Sequence, residues 1–210
     1  MSQRGAQRGR GRSQGPLSST LSIIAALCQD QLTPHQKLKM QELDPTVDSH
    51  LKAPAGAGKT FVAIHRVKLL LRQDRTAKVL YVSPHKALGL WFIQWLRAQG
   101  MEDALVRVHV LFEPFHQGPW QSDAGEAGLK PSGKTMYTLV VVDEAHTIYA
   151  DAGIRASVET YTDPAVSEKP VKLLLSDASQ SMQELVQFPR IEKQVVLTEV
   201  INKCVKQSID

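Results

Sequence analysis

The stretch His50-Leu-Lys-Ala-Pro-Ala-Gly-Ala-Gly-Lys-Thr60 decides the fold, because it joins a short strand pattern to a glycine-rich loop and then to a helix pattern. Gly56 and Gly58 carry no Cβ and can adopt backbone conformations that other residues avoid. Successive amide N–H groups of such a loop can curl around a phosphate, and the helix that begins near Lys59 adds its positive N-terminal end. The sequence therefore predicts a phosphate-binding loop at residues 53–60.

The side chains that follow the glycines suit a nucleotide with a bound metal. The Lys59 amine would reach the β- and γ-phosphates, and the Thr60 hydroxyl would be a ligand of Mg²⁺. ATP and Mg²⁺ are therefore the predicted cofactors. The predicted cofactor-binding residues of the loop are Ala55, Gly56, Ala57, Gly58, Lys59 and Thr60. Ala53 stands where the strict motif has glycine, but it is small enough for the close turn.

A strict match to the same motif occurs at Gly128-Leu-Lys-Pro-Ser-Gly-Lys-Thr135. A phosphate loop needs a strand before it and a helix after it. The residues before this match have no strand character, and those after it, from Tyr137 to Val142, form a strand pattern. We therefore interpret this second match as coincidental.

A second motif, Val140-Val-Val-Asp-Glu-Ala-His146, ends the apolar run that starts at Thr138. Such a run is typical of a central parallel strand buried on both faces. Ligands bind at the carboxyl ends of strands in open α/β sheets, so Asp143 and Glu144 should lie beside the phosphate loop. Asp143 suits Mg²⁺ binding through water, and Glu144 suits activation of the water that attacks the γ-phosphate. The alternative is a strand followed by a solvated acidic turn.

The segment Val171-Lys-Leu-Leu-Leu-Ser-Asp-Ala-Ser-Gln180 is another apolar strand pattern that ends in polar residues. Its position in the same scheme would let Asp177 and Gln180 sense the γ-phosphate. A strand followed by an Asp/Ser helix cap explains the same residues. Both interpretations stay open from the sequence.

The segment Val79–Leu88 predicts a strand followed by a Ser83 cap and by Pro84 at the first helical position. His85 and Lys86 at that strand end are candidates for contact with a nucleic-acid backbone. Simple helix capping explains Ser83 and Pro84 equally well.

Strand and helix patterns alternate along the chain, which predicts an α/β fold with a parallel sheet flanked by helices. A chain of 210 residues allows one sizeable domain with a hydrophobic core. Residues 113–135 and 160–170 have the composition of loops. The strand patterns lie at residues 49–53, 78–82, 106–111, 138–142, 171–175 and 194–198, and the helix patterns at 34–43, 59–72 and 86–98.

The first sixteen residues have no hydrophobic pattern, and we expect a disordered Arg/Gly-rich tail there, followed by a helical lead-in over residues 17–33. Its four arginines, Arg4, Arg8, Arg10 and Arg12, equal the formal net charge of +4, so the rest of the chain is close to neutral. Arg/Gly segments can bind single-stranded nucleic acid without sequence preference. A solvated linker is the alternative.

The composition indicates an intracellular protein, cytoplasmic or nuclear. Two cysteines, Cys28 and Cys204, provide no disulfide framework. No run approaches membrane-spanning length, so no membrane partner is expected. The apolar stretch Leu17–Leu27 is short and interrupted by Ser and Thr, unlike a secretory signal. The absence of acidic residues before Asp30 leaves a mitochondrial presequence open, although the glycine content argues against it.

The ordered set of motifs resembles the first RecA-like domain of a superfamily 1 helicase, of the Schlafen type or a related uncharacterised ATPase module. The matching segments are Leu32-Thr-Pro-His-Gln36, Ala53–Thr60, Val82-Ser-Pro-His-Lys-Ala87, Val142-Asp-Glu-Ala-His146 and Ser176-Asp-Ala-Ser-Gln180. The resemblance implies that Gln36 reads the adenine and that Gln180 contacts the γ-phosphate. It supports the roles given above to Lys59, Thr60, Asp143 and Glu144, and it places Ser83, His85 and Lys86 near single-stranded DNA or RNA.

The sequence departs from the family pattern in three places. Ser176 stands where the last of these motifs usually begins with glycine, and Asn202-Lys203 stands where an arginine is usual. Residues 34–210 make one RecA-like domain, so the second domain and its site-completing arginine are expected to be absent, or to come from a partner chain. Loss of such an arginine costs about 10³–10⁵ in the rate of related phosphoryl transfers. Helicase action by the chain alone is therefore not expected.

Three functions compete at this point. The leading one is an ATP-binding, Mg²⁺-dependent NTPase domain of helicase type, in which Glu144, Lys59 and Gln180 are catalytic. The second is a non-catalytic module that binds ATP and recruits RNA or a protein. The third is another P-loop enzyme; a GTPase would show Asn-Lys-x-Asp, whereas Asn202-Lys-Cys-Val205 lacks the aspartate.

Overall fold

Six parallel strands alternate with helices along the part of the chain that the computed structural model describes, residues 32–112, 136–162, 169–177 and 188–200. These residues belong to a single compact unit that begins at Leu32. In chain order the elements are α1 (Pro34–Glu42), β1 (Ser49–Ala53), α2 (Lys59–Gln73), β2 (Val79–Ser83), α3 (Lys86–Ala98), a 3₁₀ helix (Glu102–Arg107), β3 (Val108–Phe112), β4 (Leu139–Val142), α4 (Ala145–Ala150), α5 (Ala152–Thr162), β5 (Val171–Asp177) and β6 (Lys193–Val196).

The strands form one sheet in the order β3-β2-β4-β5-β1-β6, with every neighbouring pair parallel. All carboxyl ends of the strands therefore lie along the same edge. All four residues of β4 and all five residues of β2 are buried, as expected for central strands covered on both faces. The predicted α/β fold with a parallel sheet flanked by helices is confirmed.

Alternate residues of each strand point to opposite sides, and each side carries its own helices. On what we call the first face, Tyr81, Val141 and Leu175 pack with α2 and α3. On the second face, Val140 and Leu174 pack with α4 and α5. The central strands are continuous apolar runs because helices cover both of their faces.

Helix α3 approaches β3 unusually closely. A Cβ placed at Gly89 would lie 2.4 Å from Cγ1 of Val110, well inside van der Waals contact. Glycine at this helical position therefore permits the close packing, although glycine is a poor helix former.

The element boundaries follow the sequence prediction except in two regions. The predicted strand 106–111 begins two residues late, at Val108, because Glu102–Arg107 forms a 3₁₀ helix. The guanidinium of Arg107 donates to the carbonyl oxygens of Leu71, Asp74 and Ala77, which satisfies groups at and just beyond the end of α2.

Helices α4 and α5 were not predicted, and α5 extends to Thr162, into the segment 160–170 that was predicted as a loop. The six residues of α4 are too few for a helical period to emerge. The signal for α5 was present, because the Asp151 carboxylate accepts a hydrogen bond from the Ile154 N–H, as an N-cap aspartate does.

Candidate functional site

The glycine-rich loop between β1 and α2 has the backbone expected of a phosphate cradle. Gly56 and Gly58 have φ values of +77° and +83°, in the left-handed region that favours glycine. Gly58 is the N-cap of α2 and offers no side chain to the first amide groups of that helix. These amides have no partner within the helix, so they can donate to an anion.

The Lys59 side chain folds back over this loop. Its amine lies 3.5 Å from the Ala53 carbonyl oxygen, and the residue is only 8% exposed. Asp177 at the end of β5 is the register partner of Ala53, so a carboxylate residue ends the strand beside the loop. The pairing of β1 with β5 therefore brings residues 53–60 and Asp177 to the same edge of the sheet.

Three donors surround the carboxylate of Asp143, which follows β4. The Thr60 hydroxyl donates to Oδ2 at 2.8 Å, and the Tyr81 hydroxyl donates to the same oxygen at 2.6 Å. The Glu144 amide donates to Oδ1 at 2.9 Å. The two residues predicted as metal ligands, Thr60 and Asp143, are thus in direct contact although 83 positions separate them in the chain.

Sequence reasoning missed Tyr81. Burial, together with its hydrogen bond to Asp143 and the nearby Glu144, raises its pKa well above the usual value, so its hydroxyl remains a donor. The available signal was a hydroxyl-bearing residue within the buried, otherwise aliphatic part of a strand, because a buried hydroxyl needs a partner.

Glu144 occupies a strained backbone position at the start of α4. Its φ of +49° and ψ of +44° are left-handed, which costs a residue other than glycine about 1 kcal/mol or more. Its carboxylate is about one-third exposed and lies 3.4 Å from Nε2 of His146. His146 Nδ1 is buried without a hydrogen-bond partner among the residues that the structure describes. The Glu144 carboxylate therefore lies beside the His146 ring and remains accessible to water.

Gln36 connects α1 to the phosphate loop. Its side-chain oxygen accepts from the Thr33 N–H, and its backbone N–H donates to the Thr33 hydroxyl oxygen, which makes a capping box at the start of α1. Its side-chain NH₂ group donates to the Ala57 carbonyl oxygen at 2.9 Å. The residue is buried and holds the loop directly; recognition of adenine by Gln36 remains a prediction.

The segment predicted to meet nucleic acid divides into a buried and an exposed part. Ser83 is fully buried, and its hydroxyl is hydrogen-bonded to the backbone N–H and C=O of His85. The helix begins at Lys86 with His85 as its N-cap, so the predicted Ser83 cap with Pro84 at the first helical position is wrong. The geometry of Ser83 fits a local turn. His85 and Lys86 are exposed and stand at the carboxyl edge of the sheet.

Several predicted residues lie outside the described part of the chain. These are Gln180, the arginines Arg4, Arg8, Arg10 and Arg12, and the second glycine-rich match at residues 128–135.

A second buried polar pair lies on the second face. His50 Nε2 and Ser176 Oγ are hydrogen-bonded at 2.7 Å between the adjacent strands β1 and β5, and the ring of Phe188 lies 4.7 Å from that of His50. Burial, with a smaller effect of Lys52, lowers the pKa of His50 to about 4. Ser176 is the residue that departs from the usual glycine, and its hydroxyl has this buried partner.

The residues present fit a nucleotide with Mg²⁺. A left-handed glycine loop, a helix N-terminus and a lysine amine suit phosphate, and the oxygen pair of Thr60 and Asp143 suits a hard cation. No three His, Cys, Asp or Glu residues of the described chain group together as metal ligands. Mg²⁺ needs no such group, because it keeps several waters and binds through one or two carboxylates and the phosphates.

Comparison with known proteins identifies the fold. No protein-family model matches the chain, and no curated protein matches its sequence. The helicase domain of Pyrococcus furiosus Hef superposes with a TM-score of 0.53 and 18% identity over 83% of this chain and 39% of that one. The fold is that of a helicase RecA-like domain. The DUF1998 helicase MrfA superposes with a TM-score of 0.50 and 17% identity over 85% of this chain and 32% of that one.

This chain therefore spans only about a third of the length of those structures. At such low identity the likeness establishes the fold alone. Among the helices that the structure describes, none has both the length and the apolar character needed to span a bilayer.

Proposed function

We propose that this chain is an ATP-binding, Mg²⁺-dependent NTPase domain of helicase type. The contact between the Thr60 hydroxyl and the Asp143 carboxylate, 2.8 Å long and beside a left-handed glycine loop, carries the proposal. It joins the two motifs on which the prediction depended. A glycine-rich turn without a ligand would not require a carboxylate at that place.

Each residue at this edge has a distinct role in the proposal. The loop from Ala55 to Gly58 and the amine of Lys59 bind the phosphates, while Thr60 and Asp143 hold Mg²⁺, which neutralises charge on the β- and γ-phosphates when bound. Glu144 accepts a proton from the attacking water. Its partly exposed carboxylate suits this role because water must reach it.

Gln180 and Gln36 complete the proposed site in two different ways. Gln180 senses the γ-phosphate in this scheme, as the resemblance to superfamily 1 motors implies. Gln36 acts on the adenine and also on the loop, because its side-chain NH₂ group already holds the Ala57 carbonyl oxygen. In the proposed order of events, the loop first binds the phosphates and Glu144 then activates the water.

Single-stranded DNA or RNA is the proposed polymer partner. His85 and Lys86 are exposed at the same edge as the phosphate loop, and the four arginines of residues 1–16 supply a second basic segment. The site-completing arginine of helicase motors comes from a second RecA-like domain. We therefore expect slow turnover by this domain alone and faster turnover when a second domain, in the same protein or a partner chain, closes on it.

Measurement of MgATP hydrolysis and of ATP affinity tests this proposal, with and without single-stranded DNA or RNA. In the Lys59→Ala variant ATP affinity should fall about 10- to 100-fold, because a charge-assisted contact to phosphate is lost. Lys37→Ala, which removes an exposed lysine of α1, is the matched control and should leave affinity unchanged.

Turnover that rises with polynucleotide and disappears in Lys59→Ala would support a nucleic-acid-coupled ATPase. ATP binding without turnover would favour the non-catalytic module, in which ATP is a structural or regulatory ligand. Equal ATP affinity in wild type and Lys59→Ala would refute the nucleotide site.

A further inference from the structure

Among the described residues, Tyr81 is the only tyrosine that contacts Asp143, the carboxylate proposed to hold the metal. It is fully buried in β2, and its hydroxyl donates to Asp143 Oδ2 at 2.6 Å. Its ring stacks on Phe92 of α3, with a centroid distance of 4.2 Å and an interplanar angle of 10°. Phenylalanine would pack equally well in this stack, so packing alone does not explain the hydroxyl.

The hydroxyl matters because it fixes the direction of the carboxylate. Thr60 and Tyr81 both donate to Oδ2, whereas Oδ1 receives the Glu144 amide. The Asp143 amide also donates to the Val82 carbonyl oxygen at 2.8 Å. Asp143 is therefore attached to β2 twice, once through its backbone and once through its side chain.

We propose that Tyr81 is a positioning residue that holds the Asp143 carboxylate in the orientation needed to bind Mg²⁺ with ATP. The inference rests on the proposed function. Thr60 belongs to the nucleotide loop and is itself a proposed ligand of Mg²⁺. Once its hydroxyl binds the metal, its hydrogen bond to Asp143 is weakened. Tyr81 approaches from the sheet and remains a donor to Oδ2 throughout.

The same tyrosine connects the carboxylate to α3. Phe92, on which the Tyr81 ring stacks, belongs to the helix that begins at Lys86. Lys86 and His85 are the exposed residues proposed to meet nucleic acid. Tyr81 thus joins α3 to Asp143, because its ring stacks on Phe92 and its hydroxyl donates to the carboxylate. In this proposal the position of α3 affects the orientation of Asp143 through Tyr81.

The test is Tyr81→Phe, which keeps the ring and its stacking on Phe92 and removes only the hydroxyl. The affinity for a fluorescent ATP analogue is measured over a series of Mg²⁺ concentrations and again in EDTA. We expect the variant to need about tenfold more Mg²⁺ for half-maximal enhancement of binding, the effect usual for loss of an outer partner of a metal ligand. Affinity in EDTA should be unchanged, because the Tyr81 hydroxyl acts on the carboxylate proposed to hold the metal and is assigned no contact with the phosphates.

Tyr149→Phe is the matched control, since it makes the same chemical change at another buried tyrosine. The Tyr149 hydroxyl lies on the second face and has no hydrogen-bond partner among the described residues. Its removal should leave both affinities unchanged. Thermal unfolding of both variants confirms that neither has lost its fold.

The possible outcomes separate this inference from the proposed function. An unchanged Mg²⁺ requirement in Tyr81→Phe overturns the role of Tyr81 while wild type still binds MgATP. An equal loss of affinity in Mg²⁺ and EDTA also overturns it, because that result indicates general loosening. A wild-type protein that binds no ATP refutes the proposed function, and the role of Tyr81 with it.

Discussion

Each face of the sheet buries an ionisable side chain, and the two side chains have different hydrogen-bond partners. On the first face the Asp143 carboxylate accepts hydrogen bonds from Thr60, Tyr81 and the Glu144 amide. On the second face the His50 ring is hydrogen-bonded to the Ser176 hydroxyl, and burial lowers its pKa to about 4. One group is surrounded by donors, and the other is held neutral.

This difference indicates two different purposes. Three donors directed at one carboxylate fix its orientation, and carboxylate oxygens are ligands that a hard cation binds. A neutral imidazole on a hydroxyl brings no charge into the core and connects β1 to β5, the strands that lead to the phosphate loop and to Asp177. Changes to the polar groups around Asp143 should therefore alter chemistry, and changes at His50 should alter stability.

The largest effect that sharpens this comparison is expected from Glu144→Gln. The amide keeps the shape of the side chain but cannot accept a proton from water, so turnover should fall about 10²–10⁴-fold. ATP affinity and thermal stability should stay near those of wild type. Glu102→Gln, at an exposed acid of the 3₁₀ helix, is the control for loss of one negative charge. Turnover that persists in Glu144→Gln would show that another group activates the water.

The second effect is a dependence of stability on pH that arises from His50. In the folded protein its pKa is about 4, below the ordinary value of 6.5, so the unfolded chain binds more protons between these values. The contribution of His50 to the free energy of unfolding should be fully present above pH 6.5. It should be lost as the pH decreases toward 4, by about 3 kcal/mol in total.

Denaturant unfolding of wild type and His50→Gln from pH 7 to pH 4.5 measures this contribution. The variant should be less stable at pH 7, and the difference between the two proteins should shrink as the pH falls. Other groups, including His109, whose pKa burial also lowers, are present in both proteins and cancel in the difference. A difference that stays constant over this range would show that His50 does not titrate as proposed.

The sequence predicted the site better where residues were near one another in the motif than where the fold had to join them. The apolar run at β4 identified a central strand, and glycines at positions 56 and 58 identified the loop, because each signal is local. Tyr81 escaped notice because its partner, Asp143, lies 62 positions away. The partner of Ser176 is 126 positions away, so an apparent departure from a motif became interpretable only through strand pairing.

Helix termini illustrate the same limit. Helix α2 was predicted almost to the residue because a left-handed glycine starts it. Ser83 and Pro84 suggested a start for α3 that the fold does not use, since the Ser83 hydroxyl closes a turn on His85 instead. The local sequence favours a helix cap at Ser83, but in the fold Ser83 is the last residue of β2 and the helix begins at Lys86.

The smallest effect is expected from Gly89→Ala, a change on the first face that involves no ionisable group. The new Cβ would meet Val110 Cγ1 at 2.4 Å, and a β-branched side chain in a strand has little freedom to turn away. Alanine also favours a helix over glycine by about 1 kcal/mol, which offsets part of the steric cost. We expect a net loss of about 1 kcal/mol in the free energy of unfolding.

This loss should be equal at pH 7 and pH 5, in contrast to the effect of His50. A double-mutant cycle with Val110→Ala tests the steric cause. Removal of Cγ1 creates the space that the new methyl group needs, so in that background Gly89→Ala should be neutral or stabilising. The same cost with and without the Val110 methyl groups would show that α3 does not pack on β3 through Gly89. In that case the close contact between α3 and β3 on the first face would depend on residues other than Gly89.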